Sequence, residues 1–287
     1  MFVWELSDTS ANCDSFWIRR GRLGSDTGTL DQTHRALLPS YSSPLTQSRH
    51  EIYSPEGLRT DGRRWNEIRN FDCKINTHPT SADGSSYVEW GHTKVVCTVD
   101  GPREPDNRQN TTDRAVISVN VNVASFSTET RIKRQRNDKR LAEMNILIRQ
   151  LLEEAVLTKL NPRTQIAVNI TVIAQDGGLL PACINAACLA MIDAGVPLTD
   201  YVSACSSGVY SNNALIDLNT LEEQDVPFLT IGVIGKSDKI SMLTLETQLP
   251  MASLEPVLAT SLSGAHAIQD IMDAAVRKHG KHRLERK

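Results

Sequence analysis

The sequence predicts an α+β fold in one compact unit, and the order of its hydrophobic patterns carries that prediction. Strand-type patterns precede helix-type patterns in two successive blocks, at about residues 65–160 and 164–279. This order indicates a pseudo-duplicated β-β-α-β-α scheme. A hydrophobic fraction of 40% and a charged fraction of 23% are ordinary for a globular chain with a substantial core.

Two strands and a long helix make up the first block. Lys94–Val99 has the pattern of a strand, and Ala115–Val123 alternates between apolar and polar residues, as a half-buried strand does. The helix follows, with Asn137 or Asp138 as its N-cap and Asn161-Pro162 beyond its end. Its apolar stripe recurs at three- and four-residue steps, at Leu141, Met144, Ile148, Leu151 and Ala155.

The second block adds strands on both sides of a short apolar helix. Residues 166–174 form a strand, and the helix Pro181–Ala194 is ended by Gly195 and Pro197. Four further strands are predicted at residues 201–210, 214–217, 228–234 and 239–245. A last helix runs from about residue 252 to 279, with an interruption expected near Pro256 or Gly264.

The first 49 residues differ from the rest of the chain. They are rich in Ser, Thr and Gly and show no sustained periodicity, which is typical of disorder. Arg19 and Arg20 would suit a mitochondrial presequence, but Glu5 and Asp8 come too early for one. We therefore expect residues 1–49 to be a disordered extension and residues 50–287 to be the folded domain.

Charge and composition limit the kind of function that the chain can have. Its formal net charge is −3, from 31 basic and 34 acidic residues, so the surface as a whole is not suited to nucleic acid. Any RNA contact must come from a local basic patch. No apolar run approaches the ~18–20 residues that a membrane span needs.

The six cysteines indicate buried thiols. They form no C-x-x-C pair, and Cys97, Cys183, Cys188 and Cys205 lie in apolar strand or helix patterns. Such cysteines are usually reduced and buried in a reducing compartment. No ligand spacing fits zinc, so we expect neither a metal site nor a cofactor.

A glycine turn before the short helix is the most informative feature of the chain. Residues 176–181 read Asp-Gly-Gly-Leu-Leu-Pro, and Pro181 suits the first position of a helix. A glycine turn that leads into a helix favours a bound anion, because unpaired amides and the helix dipole both attract negative charge. Yet the tip of this turn is Leu179-Leu180, which offers no cation and no hydroxyl group.

This turn and several other segments, in the same order, resemble the RNase PH domain of phosphorolytic 3′-to-5′ exoribonucleases. The supporting segments are residues 53–64, Asp83–Tyr87, Phe126-Ser127 and Asp217–Glu223. The resemblance covers roughly residues 50–280 and implies an RNase PH-type (ribosomal protein S5 domain 2-like) fold with mixed sheets. In the first segment, we expect Asp61 to pair with a neighbouring arginine and fix the first strand.

The resemblance also implies where the catalytic groups would lie. Active members follow the glycines with a threonine or serine and an arginine that holds phosphate, whereas Leu180 stands at the arginine position. Their carboxylate pair corresponds to Asp217 and Glu223, where the second is an aspartate in active members. We therefore interpret Asp217, Glu223 and Leu180 as relic positions of a degenerate site. The competing interpretations are a packed leucine pair and a solvated acidic turn.

A basic run at residues 131–140 precedes the long helix. It contains Arg131, Arg134, Arg136, Lys139 and Arg140, and by itself such a run is as often a solvated face as a binding site. The resemblance implies that the run faces the pore of a hexameric ring and that Lys139 and Arg140 contact single-stranded RNA. Arg108 would be a second contact near the entrance. Such contacts bind phosphates without reading sequence.

Together, these features lead to a functional hypothesis. The resemblance implies a subunit of the RNA exosome ring, with RNase PH-like neighbours, S1/KH cap subunits, an associated hydrolytic exonuclease and single-stranded RNA as partners. We expect a non-catalytic, channel-lining subunit in the nucleus, nucleolus and cytoplasm. The alternatives are an active phosphate-dependent exoribonuclease that uses Asp217 and Glu223, and a ring scaffold that does not contact RNA.

Overall fold

A computed structural model describes residues 52, 54, 57–104, 113–128, 130, 131, 138–210 and 213–285. All of them belong to one compact unit, Ser48–Lys287. None of the helices in these ranges is long and apolar enough to cross a membrane.

The first sheet has five strands in the order β1-β2-β3-β5-β4. The strands are β1 (Phe71–Ile75), β2 (Gly84–Trp90), β3 (Thr93–Arg103), β4 (Val116–Val123) and β5 (Gln165–Ala174). Neighbours are antiparallel except for β4 and β5, which are parallel and are joined by a helical crossover. The sheet is therefore mixed, as the fold class predicted.

Helix α1 (Lys139–Ala155) forms that crossover. The Asp138 side chain accepts a hydrogen bond from the Arg140 amide at 3.1 Å, so Asp138 is the N-cap, one of the two candidates predicted. The helix buries Ile148, Leu151, Leu152 and Ala155. Its first turn is exposed at Lys139 and Arg140, and these two residues are therefore placed at the edge of the domain next to α2.

Helix α2 (Leu179–Asp193) lies between the two sheets and forms the centre of the core. All of its residues from Pro181 to Met191 are buried, and it contacts strands of both sheets. A Cβ atom on Gly84 of β2 would lie 2.3 Å from the Ala190 carbonyl oxygen, so the helix packs directly on the strand backbone. The helix begins two residues earlier than predicted, because Gly178 takes a left-handed conformation and Leu179 is already helical.

The second sheet is antiparallel, in the order β7-β6-β8-β9. Its strands are β6 (Val202–Tyr210), β7 (Asn213–Ile216), β8 (Phe228–Ile234) and β9 (Ile240–Leu245). The short helix α3 (Thr220–Asp225) follows β7, and helix α4 (Met251–Glu285) packs on β6, β7 and β1. Since β5 pairs with β3 and β4, the sheets do not divide at the boundary between the two sequence blocks.

The structure differs from the predicted elements in three places. Strands β1 and β2 and helix α3 are additional elements. Helix α4 is continuous through Pro256 and Gly264, and at Gly264 it packs closely against Cys205 and Ile216 of the second sheet. The four cysteines expected to be buried are buried, and burial raises the pKa of Cys183 and Cys188 to about 12.

Candidate active site

A cleft of about 400 Å³ opens where the N-termini of α1 and α2 meet helix α3 and the second sheet. It is lined on one side by Arg140 and on the other by the first residues of α2 and by Glu223 of α3. The structure therefore brings the glycine turn, the basic helix start and one of the two predicted carboxylates to the same cleft.

The glycine turn is held in a conformation that only glycine adopts readily. Gly177 and Gly178 have φ values of 72° and 61°, and a Cβ atom on Gly177 would lie 2.4 Å from the Leu218 carbonyl oxygen. The Thr93 hydroxyl group accepts from the Asp176 amide at 3.0 Å and donates to the Gly177 carbonyl at 2.8 Å. The turn is thus fixed by β3 and packed against the start of α3.

A carboxylate of the same chain accepts a hydrogen bond from the backbone amide with which the turn could bind an anion. The Gly178 amide donates to Glu223 Oε1 at 2.7 Å. Burial raises the pKa of Glu223, while the Gly178 hydrogen bond and the charges of Arg69 and Arg140 act in the opposite direction. Any external anion must therefore compete with Glu223 for this amide.

We expect Glu223→Gln to stabilise the protein at neutral pH. A carboxyl group whose pKa is raised on folding adds stability below its unfolded pKa, and that stability is lost as the pH rises through the folded pKa. Glutamine keeps an oxygen for the Gly178 amide and carries no charge to bury. Urea midpoints should therefore be higher for the variant at pH 7 and should converge with the wild type as the pH falls towards 4.5. Equal midpoints at pH 7 would contradict this; Glu154→Gln, at an exposed position of α1 that does not line the cleft, is the matched control.

The leucines at the tip of the turn pack against the protein. Leu179 and Leu180 are half-buried, lie against the main core and line the cleft. The cleft also contains the hydroxyl groups of Thr220 and Thr244, which are buried and have no hydrogen-bond partner among the described residues. Arg140 also lines this cleft and carries a positive charge.

Asp217 is an anchor inside the protein, and its interpretation as part of a solvated acidic turn is wrong. Its side chain is fully buried, and Asp217 has a positive φ of 53°, which aspartate tolerates. The carboxylate accepts from the Arg69 amide at 2.7 Å, from the Arg69 guanidinium at 2.7–3.1 Å and from Trp90 Nε1 at 2.9 Å. These contacts occupy both oxygens, so Asp217 has no free oxygen for a substrate.

Arg69 links this anchor to the glycine turn. Its guanidinium donates to the Asp176 carbonyl and, at 3.4 Å, to the Gly177 carbonyl. Burial alone would lower the pKa of Arg69, but the charge and hydrogen bonds of Asp217 raise it. Arg69 was not among the predicted site residues, since it lies in a polar stretch before β1 with no recognisable motif.

A second buried ion pair fixes the start of α3. Arg59 donates through Nε to Glu222 Oε1 at 2.8 Å, and both side chains are buried. Glu222 Oε2 also accepts from the Asn219 amide at 2.8 Å, closing a capping box. The alternative of a solvated acidic turn, which included Glu222, is therefore wrong for this residue too. The capping-box spacing Asn219-x-x-Glu222 was the signal that could have shown it. Asp61 pairs with Arg63 at 3.2 Å, as expected.

The predicted RNA-binding residues fall into two groups. Arg131, Lys139 and Arg140 are exposed, and Arg140 lines the cleft while lying 3.6 Å from Glu246. Arg108, Arg134 and Arg136 lie outside the described residues. No group of three or more His, Cys, Asp or Glu side chains within the described ranges is arranged to hold a metal ion.

Comparison with known families places both sheets in a single family. The model of domain 1 of the 3′ exoribonuclease family matches residues 67–197, and that of domain 2 matches residues 200–264. The exosome complex component SKI6 of Saccharomyces cerevisiae is 46% identical over 239 residues, or 83% of this chain and 97% of that protein. The exosome complex component RRP41 of Homo sapiens is 38% identical over 232 residues, or 80% of this chain and 94% of that protein.

Solved structures agree with this result. Rice Rrp46 matches with a TM-score of 0.67 and 25% identity, over 75% of this chain and 98% of that chain. A chain of the Archaeoglobus fulgidus exosome with RNA bound to the active site matches with a TM-score of 0.65 and 25% identity. The match covers 75% of this chain and 92% of that chain. The predicted RNase PH-type α+β fold is confirmed.

These comparisons correct the expectation of a non-catalytic subunit. The matching family is one of 3′ exoribonucleases, and its models cover Leu180, Asp217 and Glu223, the positions from which that expectation was drawn. The relatives are named as exosome complex components, so a leucine at position 180 is not enough to classify the chain as a structural subunit. The chain belongs to the RNase PH family of 3′ exoribonucleases, and it is similar over most of its length to exosome components of the RRP41 type.

Proposed function

We propose that this chain is an RNA-binding core subunit of an exosome-type complex that processes and degrades RNA from the 3′ end. The observation that carries the proposal is the cleft in which Arg140 faces the N-terminus of α2, in a chain that matches exosome components over nearly their full length. Its partners would be other RNase PH-like ring subunits, S1/KH cap subunits and an associated hydrolytic exonuclease. Such a complex would act in the nucleus, nucleolus and cytoplasm, in ribosomal RNA maturation and messenger RNA decay.

The RNA contacts are proposed for the basic side chains around the start of α1. Lys139 and Arg140 are exposed on its first turn, and Arg131 is exposed just before it. Exposed cations of this kind neutralise phosphates and bind single strands without sequence preference. Arg108, Arg134 and Arg136 complete the proposed set by their place in the sequence.

The phosphate position of this cleft is proposed to be degenerate. An arginine in the first turn of α2 would supply a two-pronged, charge-assisted clamp. Here Leu180 presents apolar surface, and Glu223 occupies the Gly178 amide. Both features lower the affinity of the cleft for inorganic phosphate, while Arg140 and the two threonine hydroxyls remain as donors.

Phosphate-dependent 3′-to-5′ exonuclease activity is a second candidate, favoured by the exoribonuclease family to which the chain belongs. Of the two predicted carboxylates, Glu223 is the one that lines the cleft and could transfer a proton, because Asp217 is fully paired with Arg69 and Trp90. Its raised pKa favours the protonated form that could donate to a leaving 3′-oxygen.

Restoring the arginine should strengthen phosphate binding. We expect Leu180→Arg to increase the affinity for inorganic phosphate by roughly tenfold or more, since each charge-assisted hydrogen bond contributes about 1.5–3 kcal/mol. Titration calorimetry with phosphate measures the effect. Leu160→Arg adds the same charge at an exposed turn and is the control. An unchanged phosphate affinity in Leu180→Arg would show that Leu180 does not stand at the phosphate position.

The proposed function is tested by purifying the native protein from cells and identifying what accompanies it. Recovery of RNase PH-like and S1/KH subunits, together with cross-linking of 3′-labelled RNA to this chain, is the expected result. Adding phosphate to the same preparation and measuring nucleoside diphosphates tests the second candidate. A chain recovered without exosome-type subunits would refute the proposal.

A further inference from the structure

An open groove of about 610 Å³ lies on the described surface between strand β1 and the C-terminal end of α4. It is lined by three consecutive residues of β1, Cys73, Lys74 and Ile75, and by one face of the last turns of α4. Consecutive side chains of a strand point to opposite faces of the sheet. A groove that touches all three therefore runs along the edge of β1.

That edge is unpaired in the described part of the chain. Strand β1 stands at the end of the first sheet, and its registered partner is β2 on the other side, from Phe71 opposite Trp90 to Ile75 opposite Ser86. An unpaired edge presents a row of amide and carbonyl groups, which an added strand can pair with.

The groove is strongly basic. Lys74, Lys278 and Lys281 line it and form no ion pair with the described residues, while His279 and His282 lie between them. Glu285 is the acidic side chain at its end. This concentration of cations contrasts with the net charge of −3 of the whole chain.

The floor of the groove is aliphatic. Ile75 and Ala275 lie in it, and Cys73 is half-buried there, where burial raises the pKa of its thiol to about 11. No Phe, Tyr or Trp side chain of the described residues lines the groove, and its rings are the imidazoles of His279 and His282. The unpaired edge of β1 offers backbone amide and carbonyl groups, which pair with a peptide backbone, so this surface is better suited to a peptide than to RNA.

We propose that this groove binds an extended, acidic segment of a partner protein, which adds as a strand to the edge of β1. Its backbone pairs with β1, its carboxylates meet the lysines of α4, and its small apolar side chains cover Ile75 and Ala275. The groove is separate from the cleft at Arg140, since the two share no lining residue.

The test uses the full chain and a fluorescent eight-residue peptide, Glu-Glu-Val-Val repeated twice, followed by anisotropy. This order places both glutamate and valine on each face of an added strand. The peptide should bind, and its binding should weaken as salt is added. The double variant Lys278→Glu/Lys281→Glu should weaken it by about tenfold or more. The control Lys159→Glu/Lys239→Glu makes the same charge change at exposed lysines outside the groove and should leave binding unchanged.

Two further probes separate strand addition from simple charge attraction. A peptide in which proline replaces valine keeps the charges but loses backbone donors, and it should bind at least severalfold more weakly. Equal binding of the two peptides, or no effect of Lys278→Glu/Lys281→Glu, would overturn the proposal. It would also be overturned if that variant lost affinity for oligouridylate and not for the acidic peptide, because the groove would then be an RNA surface.

Discussion

Asp217→Ala is expected to lower the free energy of unfolding by about 3–5 kcal/mol, the usual cost of removing one partner of a buried ion pair. The Asp217 carboxylate is fully buried and accepts from Arg69 and Trp90. Its loss leaves the Arg69 guanidinium and the Trp90 indole N–H without their acceptor in the core. Urea denaturation followed by circular dichroism measures the change.

The control for this prediction is Asp225→Ala in α3, an exposed acidic residue at which a change within about 0.5 kcal/mol is expected. A double-mutant cycle with Arg69→Met should show that much of the cost is shared between the two residues. If Asp217→Ala cost less than about 1 kcal/mol, Asp217 would not be the structural anchor that its contacts indicate.

Charge reversal at the start of α1 is expected to weaken RNA binding strongly. Lys139→Glu/Arg140→Glu changes the charge by four units near the proposed RNA path. With a salt slope of about −0.7 per phosphate contact for single strands, the loss is on the order of a hundredfold at 0.15 M salt. The slope of log affinity against log salt should become shallower by more than 1. Anisotropy with labelled oligouridylate at several salt concentrations measures both quantities.

The matched control is Arg149→Glu/Lys159→Glu, which makes the same charge change at exposed positions that do not line the cleft. This control should bind RNA within about twofold of the wild type. Equal RNA affinity of Lys139→Glu/Arg140→Glu and the wild type would remove the start of α1 from the RNA path and leave these side chains as a solvated face.

The elements that the sequence predicts well are those whose hydrophobic period is complete within one segment. Strand β8 begins and ends at the residues predicted, and the stripe of α1 is the face that it buries. Strands β1 and β2 were missed because β1 has only five residues, with Asp72 and Lys74 among them, and β2 begins with Gly-Ser-Ser. Their stability comes from pairing with β3 and from packing against α2 and α4.

In the candidate site, too, features set by the local sequence could be predicted, whereas those set by distant residues could not. Local backbone chemistry marks the glycine turn, and the resemblance to the RNase PH domain placed Leu180 and Glu223 in one site with it. The burial of Asp217 and Glu222 could not be predicted, since it depends on Arg69 and Arg59, which precede them by 148 and 163 residues. An acidic stretch at the surface and an acidic stretch paired in the core have the same composition.

The central position of α2 has a consequence for how such chains are inherited. Family comparison divides the sequence at about residue 200, yet α2 is enclosed by strands from both sides of that division. A gene fragment for either half would encode a chain with one open apolar face. We therefore expect exchange of halves between related genes to succeed only where both sheets still fit the same small-residue helix.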